Sequence, residues 1–328
     1  MRKYIIKRIL ISIVILFFVA FIIYALMRCL PTSYIENMAR QKSMQPGSKS
    51  FDEWMEQLTA MYNMDKGIVY GFFAWIGQMF RGEFGDSWFY TVPVIQKFHS
   101  SIWVSFVMGL VAMILELIIA IPLGVIAATK QYSRTDYTIS VLALAGISLP
   151  TFFFASLLKL VFSVKLQWFD LFGLTGRNYE QLSAMGQFLD KAHHLVLPIV
   201  TLVVISVGSL MRYTRTNMLE VLNADYIRTA RAKGLDERKV IYHHAFRNTL
   251  IPLVTIVGGS LPGLFSGALI TETLYSIPGI GYVSYQAMVG GDIPFSMFYL
   301  TFLAILTLAG NLIADILYAV VDPRVRIS

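Results

Sequence analysis

Six stretches of this 328-residue chain are long and apolar enough to leave water: 9–27, 102–128, 137–158, 195–211, 249–271 and 295–314. Each is close to the ~20 residues that a helix needs to cross a hydrocarbon core. Glu116 is the one charged residue inside those limits. A backbone in hydrocarbon must satisfy its own N–H and C=O groups, so each stretch is expected to be a helix. Composition agrees: 56% of residues are hydrophobic and 14% charged, with mean hydropathy +0.62. Soluble domains carry roughly 25% charged residues. The fold class implied is an all-α membrane protein with six transmembrane helices.

Lys and Arg place the loops. The residues before the first span carry Arg2, Lys3, Lys7 and Arg8. The 129–136 loop carries Lys130 and Arg134, the 212–248 loop carries eight basic residues, and the tail carries Arg324 and Arg326. The 272–294 loop carries none. Region 28–101 has seven basic residues balanced by seven acidic ones, and so long a segment weighs little under the positive-inside rule. Both termini and the 212–248 loop are therefore expected in the cytoplasm. The net charge of +7 follows from this topology, and nucleic acid is not an expected partner. The organisation expected is an N-terminal tip and first helix (1–28), an external segment (29–101), a transmembrane core (102–320) and a cytoplasmic tail (321–328).

The first span exceeds the 7–15 apolar residues of a signal peptide, and no A-x-A site follows it, so it reads as a retained helix. In the external segment, 51–62 can form an amphipathic helix, and 72–80 is an apolar stretch suited to the interface. Pro122, Pro150, Pro198 and Pro262 lie within spans and can kink them. Small residues crowd the fifth span, among them Gly258, Gly259, Ser260, Gly263, Ser266 and Gly267. They permit close helix contact, which suits intrachain packing, a subunit interface or a translocation path. Cys29 is the only cysteine, so no internal disulfide can form. The pairs His193/His194 and His243/His244 lack helical metal-site spacing, and no metal or cofactor is expected.

The longest strongly charged run is 225–252, DYIRTARAKGLDERKVIYHHAFRNTLIP. Asp225 is a candidate N-cap for a helix over 226–233, and Gly234 a candidate C′ residue. Asp236 can cap a second helix over 237–248. Ile227, Ala230 and Gly234 share one face of the first helix, bordered by Arg228, Arg231 and Lys233. A loop held to anionic lipid by its charge and a surface that receives a partner protein both fit these residues.

The segment resembles the EAA-type coupling loop of ABC importer permeases, in the form found in the oligopeptide/dipeptide/nickel branch. Ala230 and Gly234 match the loop's Ala and Gly, whereas Arg228 and Thr229 stand where the general pattern has Glu and Ala. Further motifs follow in family order: Leu30-Pro31, Gly82–Ser87 (GEFGDS), 121–128 (IPLGVIAA), 148–152 (SLPTF), 278–281 (PGIG), 311–318 (NLIADILY) and 322–324 (DPR). The family's Pro-Gly-Asp-Pro is absent.

The resemblance implies a type I ABC importer permease (MetI-like) in a bacterial or archaeal plasma membrane. It also implies a second similar permease, two ATPase subunits, an external solute-binding protein and a peptide substrate, with a nickel chelate as the alternative cargo. The ATPase-docking residues it implies are Asp225, Tyr226, Ile227, Arg228, Ala230, Arg231, Lys233, Gly234 and Leu235. The chain has no Gly-Lys dipeptide and hence no phosphate-binding loop of its own.

Glu116, Gly263 and Ser266 are candidate path residues; Glu116 serves either the path or a structural hydrogen bond. Pro278, Gly279 and Gly281 are candidates for an external gate or binding-protein contact, or simply for a tight turn. Lys159 is expected to snorkel, and Asp315 to pair with Arg212 or Arg215. An ion-coupled carrier would call for more intramembrane carboxylates and an internal repeat, neither evident. A membrane enzyme would call for a nucleophile–base motif, also not evident.

Overall fold

The computed structural model describes residues 2–29, 33–45, 47–61 and 67–321. Leu30-Pro31, Tyr62 and the 322–324 motif lie outside the described residues. Four helices are each long and apolar enough to span: α1 (Arg2–Cys29), α5 (Val94–Thr129), α8 (Ala184–Leu222) and α14 (Ile293–Val321). Two more spans are bent pairs. One joins α6 (Arg134–Ser148) to α7 (Thr151–Leu158) and a π-helical continuation to Lys165, with a bend of 100°. The other runs from α10 (Glu237–Lys239) through a π-helical turn (Val240–Phe246) and α11 (Arg247–Ser260) to Phe265, with a 43° bend between Glu237–Leu250 and Pro252–Phe265. Counting each pair once gives six spans.

The third expected span therefore turns instead of running straight. Pro150 disfavours the α region at the residue before it, and Leu149 accordingly sits at φ −76°, ψ 125°. Helix α6 stops at Ser148, and α7 starts directly after Pro150. The fifth expected span is not one helix either. It ends at Ser260, passes into a 3-10 turn (Leu261–Phe265) with Pro262 at its start, and resumes as α12 (Leu269–Tyr275). Proline supplies the reason again: it has no N–H to continue an α-helical ladder.

The chain packs as two compact units. The first holds residues up to Ser101 together with Val283–Ala309. Within it are α1, α2 (Ser33–Ser43), α3 (Phe51–Met61) and α4 (Ile68–Phe80). A reciprocal capping box starts α3: Ser50 N–H donates to the Glu53 carboxylate, and Glu53 N–H donates to the Ser50 hydroxyl. Phe72 of α4 is fully buried, with edge-on contacts to Phe17 at 5.4 Å and Phe21 at 5.1 Å on α1. Asp292, also fully buried, accepts hydrogen bonds from the Ser87 hydroxyl and from Phe89 N–H and Phe295 N–H. The end of the GEFGDS motif is thereby tied to the start of α14.

The second unit holds Ile102–Tyr282 and the residues from Gly310. Its centre is α8, which packs against α6, α7, α11 and α12. Gly208 makes the α6–α8 approach possible: a Cβ there would lie 2.4 Å from the Ala143 carbonyl. Nearer the basic loop, Arg215 of α8 forms a bidentate pair with Asp136 of α6, both bonds 2.7 Å. Ser133 caps α6 and Ser183 caps α8.

Candidate functional site

A cleft of about 250 Å³ opens within the second unit. Its lining includes Ser105, Glu116, Ser206, Ser260 and Gly263. Small residues, among them Gly109, Ala112, Gly267 and Ala268, form much of the remaining wall. The Glu116 carboxyl is half-buried, and Ser206 stands on the wall of the same cleft. The structure thus brings Glu116 and Gly263 into one cleft. Ser266 is not among the lining residues; its hydroxyl donates to the Gly263 carbonyl at 2.7 Å. Ser260 belongs to the small-residue run of the fifth span, but Ser105 and Ser206 had no distinguishing mark in sequence, because a serine every few residues is ordinary in an apolar span.

Next to the cleft lies a buried acid that sequence reasoning treated only as the start of a loop. Glu272 on α12 is fully buried. One carboxylate oxygen accepts from the Ser105 hydroxyl at 2.6 Å and from Ala268 N–H at 2.9 Å. The other accepts from Tyr282 N–H at 2.9 Å. Ser105 in turn accepts from Ile280 N–H at 2.7 Å. The PGIG turn is folded around this carboxylate. A Cβ at Gly279 would stand 2.5 Å from both the Glu272 carboxyl and the Ser105 hydroxyl, and one at Gly281 would stand 3.0 Å from the Glu272 carboxyl. Of the two expectations for Pro278, Gly279 and Gly281, this packing fits the tight turn. Gly279 and Gly281 are both buried, and Pro278 alone of the three is exposed.

The loop helix α9 (Asp225–Ala232) is one residue displaced from expectation. Ala224 is the N-cap in extended conformation, and Asp225 occupies the first turn, where its charge complements the helix dipole. Gly234 is left-handed, φ +74°, in open space. Asp236 caps α10 through Arg238 N–H.

The face made by Ile227 and Ala230 is not the open one. Ile227 is fully buried and Ala230 nearly so, in a cluster with Val125 of α5, Met218 of α8, Val240 and Ala245. Leu235 packs against the same cluster. The open residues are Asp225, Tyr226, Arg228, Thr229, Arg231, Lys233 and Gly234. Arg231 is joined to Glu237 at 2.7 Å. The apolar spacing of α9 serves the chain's own core, as it does in most amphipathic helices.

Two further expectations change. Lys159 does not reach for water: its ammonium donates to the Leu274 carbonyl and lies 3.9 Å from the Phe172 ring centre. Arg215 is engaged by Asp136 and not by Asp315.

Apolar spans around a cleft that carries a few polar side chains, with a basic loop helix packed against α5 and α8, define a multi-pass membrane protein. Residues 120–327 match the family described as binding-protein-dependent transport system inner membrane component. The oligopeptide transport system permease protein AppB of Bacillus subtilis is 37% identical over 327 residues, covering 99% of this chain and 100% of that protein. The oligopeptide transport system permease protein OppB of Salmonella typhimurium is 33% identical over 327 residues, covering 99% and 100%. The dipeptide transport system permease protein DppB of Escherichia coli K12 is 34% identical over 319 residues, covering 92% of each. The chain belongs to this family of inner membrane components, in its oligopeptide/dipeptide permease branch, and is a multi-pass translocation subunit of a type I ABC importer.

Proposed function

We propose that this chain forms half of a path for peptides, completed by a second, similar permease. An external binding protein delivers the peptide, and two separate ATPase subunits drive the cycle. The observation that supports this most directly is the cleft of the second unit. Serine hydroxyls can hydrogen-bond peptide amides of any sequence, and walls of glycine and alanine leave room for varied side chains. We assign the Glu116 carboxyl to a substrate ammonium group, since ionisable side chains within spans mark substrate and ion pathways.

Helix α9 supplies the drive as a joint with two faces. Its open face, with Tyr226, Arg228, Lys233 and Gly234, receives the ATPase on the cytoplasmic side. Its buried face, Ile227 and Ala230, is keyed to α5 and α8 through Val125 and Met218. Displacement of α9 on ATP binding is passed to the spans through that cluster. ATP favours one conformation only by contacts that differ between the two.

The test is uptake of labelled peptide into liposomes containing the reconstituted assembly. Glu116→Gln should lower uptake about tenfold, a loss of roughly 1.4 kcal/mol of stabilisation, while assembly stays intact. Wild-type uptake by this variant would remove Glu116 from the path. A chain that co-purifies with no ATPase and transports alone would overturn the whole reading.

A further inference from the structure

We propose that Asp170, His193 and His194 form a binding site for a divalent transition ion of the zinc, nickel and cobalt class. The three residues offer ligand atoms that lie within 4.8 Å of one another. Adjacent histidines on a helix carry no metal-site spacing by themselves; the third ligand comes from the segment before α8, more than a helix away in sequence.

The His194 ring supplies the decisive geometry. Its side chain is 2% exposed. Its Nδ1 lies 2.8 Å from the Asp190 carbonyl oxygen, which can only accept, so Nδ1 carries the hydrogen. Nε2 is the ring nitrogen left to face the site, and it points at the Asp170 carboxylate 3.2 Å away.

A histidine that donates one ring N–H to a backbone carbonyl while turning the other nitrogen to the site is the usual arrangement around bound metal. Asp190 is itself fixed, accepting from Gly176 N–H at 2.8 Å. The His193 ring is held by stacking on Phe169, with centres 4.7 Å apart. Ligands about 2.0–2.2 Å from zinc must draw in from their present spacing. Asp170 and His193 are exposed, whereas His194 is the buried member. Two imidazoles and one carboxylate with an open fourth position suit these ions better than magnesium or calcium, which prefer all-oxygen shells. A bound ion would staple the Asp170 segment to α8. None of this depends on the peptide reading, so either can fail alone.

The experiment is a cobalt(II) titration, followed by zinc displacement, of the full-length protein in detergent and without a polyhistidine tag. The expected result is one equivalent bound with the visible absorption of tetrahedral cobalt, and a thermal midpoint raised by zinc and returned by chelator. Asp170→Asn and His193→Gln alter exposed side chains and should preserve the fold, each weakening binding about tenfold or more. The double variant His243→Gln/His244→Gln should bind as wild type. The proposal is overturned if no ion binds. It is overturned equally if binding survives Asp170→Asn and His193→Gln unchanged, or disappears in the His243/His244 variant.

Discussion

At the scale of single residues, Glu272 and Asp292 show how buried acids hold the segments after α11. The Glu272 carboxylate accepts three hydrogen bonds, two of them from backbone N–H groups at Ala268 and Tyr282. Glu272→Gln turns one acceptor into a donor and sets it against another donor. The expected loss is about 1–3 kcal/mol of stability, the cost of an unsatisfied buried group. It would be read as a lower thermal midpoint in the purified protein; an unchanged midpoint would mean that the PGIG turn holds itself. Asp292 carries a pH prediction. Burial pushes its carboxyl above the usual carboxylate range, against the pull of hydrogen bonds from Ser87, Phe295 and Phe89. A raised folded value favours the protonated acid. Its contribution to stability is therefore complete below the unfolded value of about 3.9 and is lost as pH rises through the higher folded one. Asp292→Asn, which keeps one acceptor oxygen, should flatten this part of the pH–stability curve. A curve identical to wild type would remove Asp292 as its source. Glu116 was legible in sequence because it stands alone among apolar residues. Glu272 was not, because an acid just beyond an apolar stretch looks like any loop acid until the chain closes over it.

At the scale of elements, α9 was the best marked in sequence and also the most instructive. Its length, the glycine that stops it and the cap of the following helix were all visible, since capping and turn chemistry are local. Which face it turns outward was not visible, because spacing says only which residues share a face. The structure separates two effects at Gly234. Its φ of +74° penalises any side chain, while the space around it is open. Gly234→Ala should therefore cost about 1 kcal/mol of local backbone strain and leave ATPase association nearly intact. Gly234→Arg adds bulk on the open side and should abolish association, measured by co-purification from the same membranes. Equal association of the two variants would place the docking surface elsewhere. Pro150 and Pro262 were likewise visible as interruptions. The 100° turn at the first was not, since a proline ends a helix without dictating where the next one points.

At the scale of the whole molecule, the proposed role of α9 is a link between ATPase and spans, and Ile227 is the residue that tests it. Ile227→Ala removes a fully buried side chain from the cluster with Val125 and Met218. A loosening of about 2–5 kcal/mol is expected, as for other large-to-small core changes. The open face is untouched, so the ATPase should still associate and hydrolyse ATP while peptide uptake falls. Uptake that stays proportional to hydrolysis would show that coupling runs by another route. The sequence alone determined the membrane class, the approximate positions of the apolar spans, the asymmetry of positive charge, and the caps and prolines that interrupt helices. These rest on composition, span length and contacts only a few residues apart. Tertiary structure alone decided that Ile227 and Ala230 face inward, that Gly279 wraps a buried acid, that Asp136 takes Arg215, and that Asp170 meets His193 and His194. Each of those joins groups that are remote in the chain or depends on which side of an element meets the core, and no local pattern of residues encodes either.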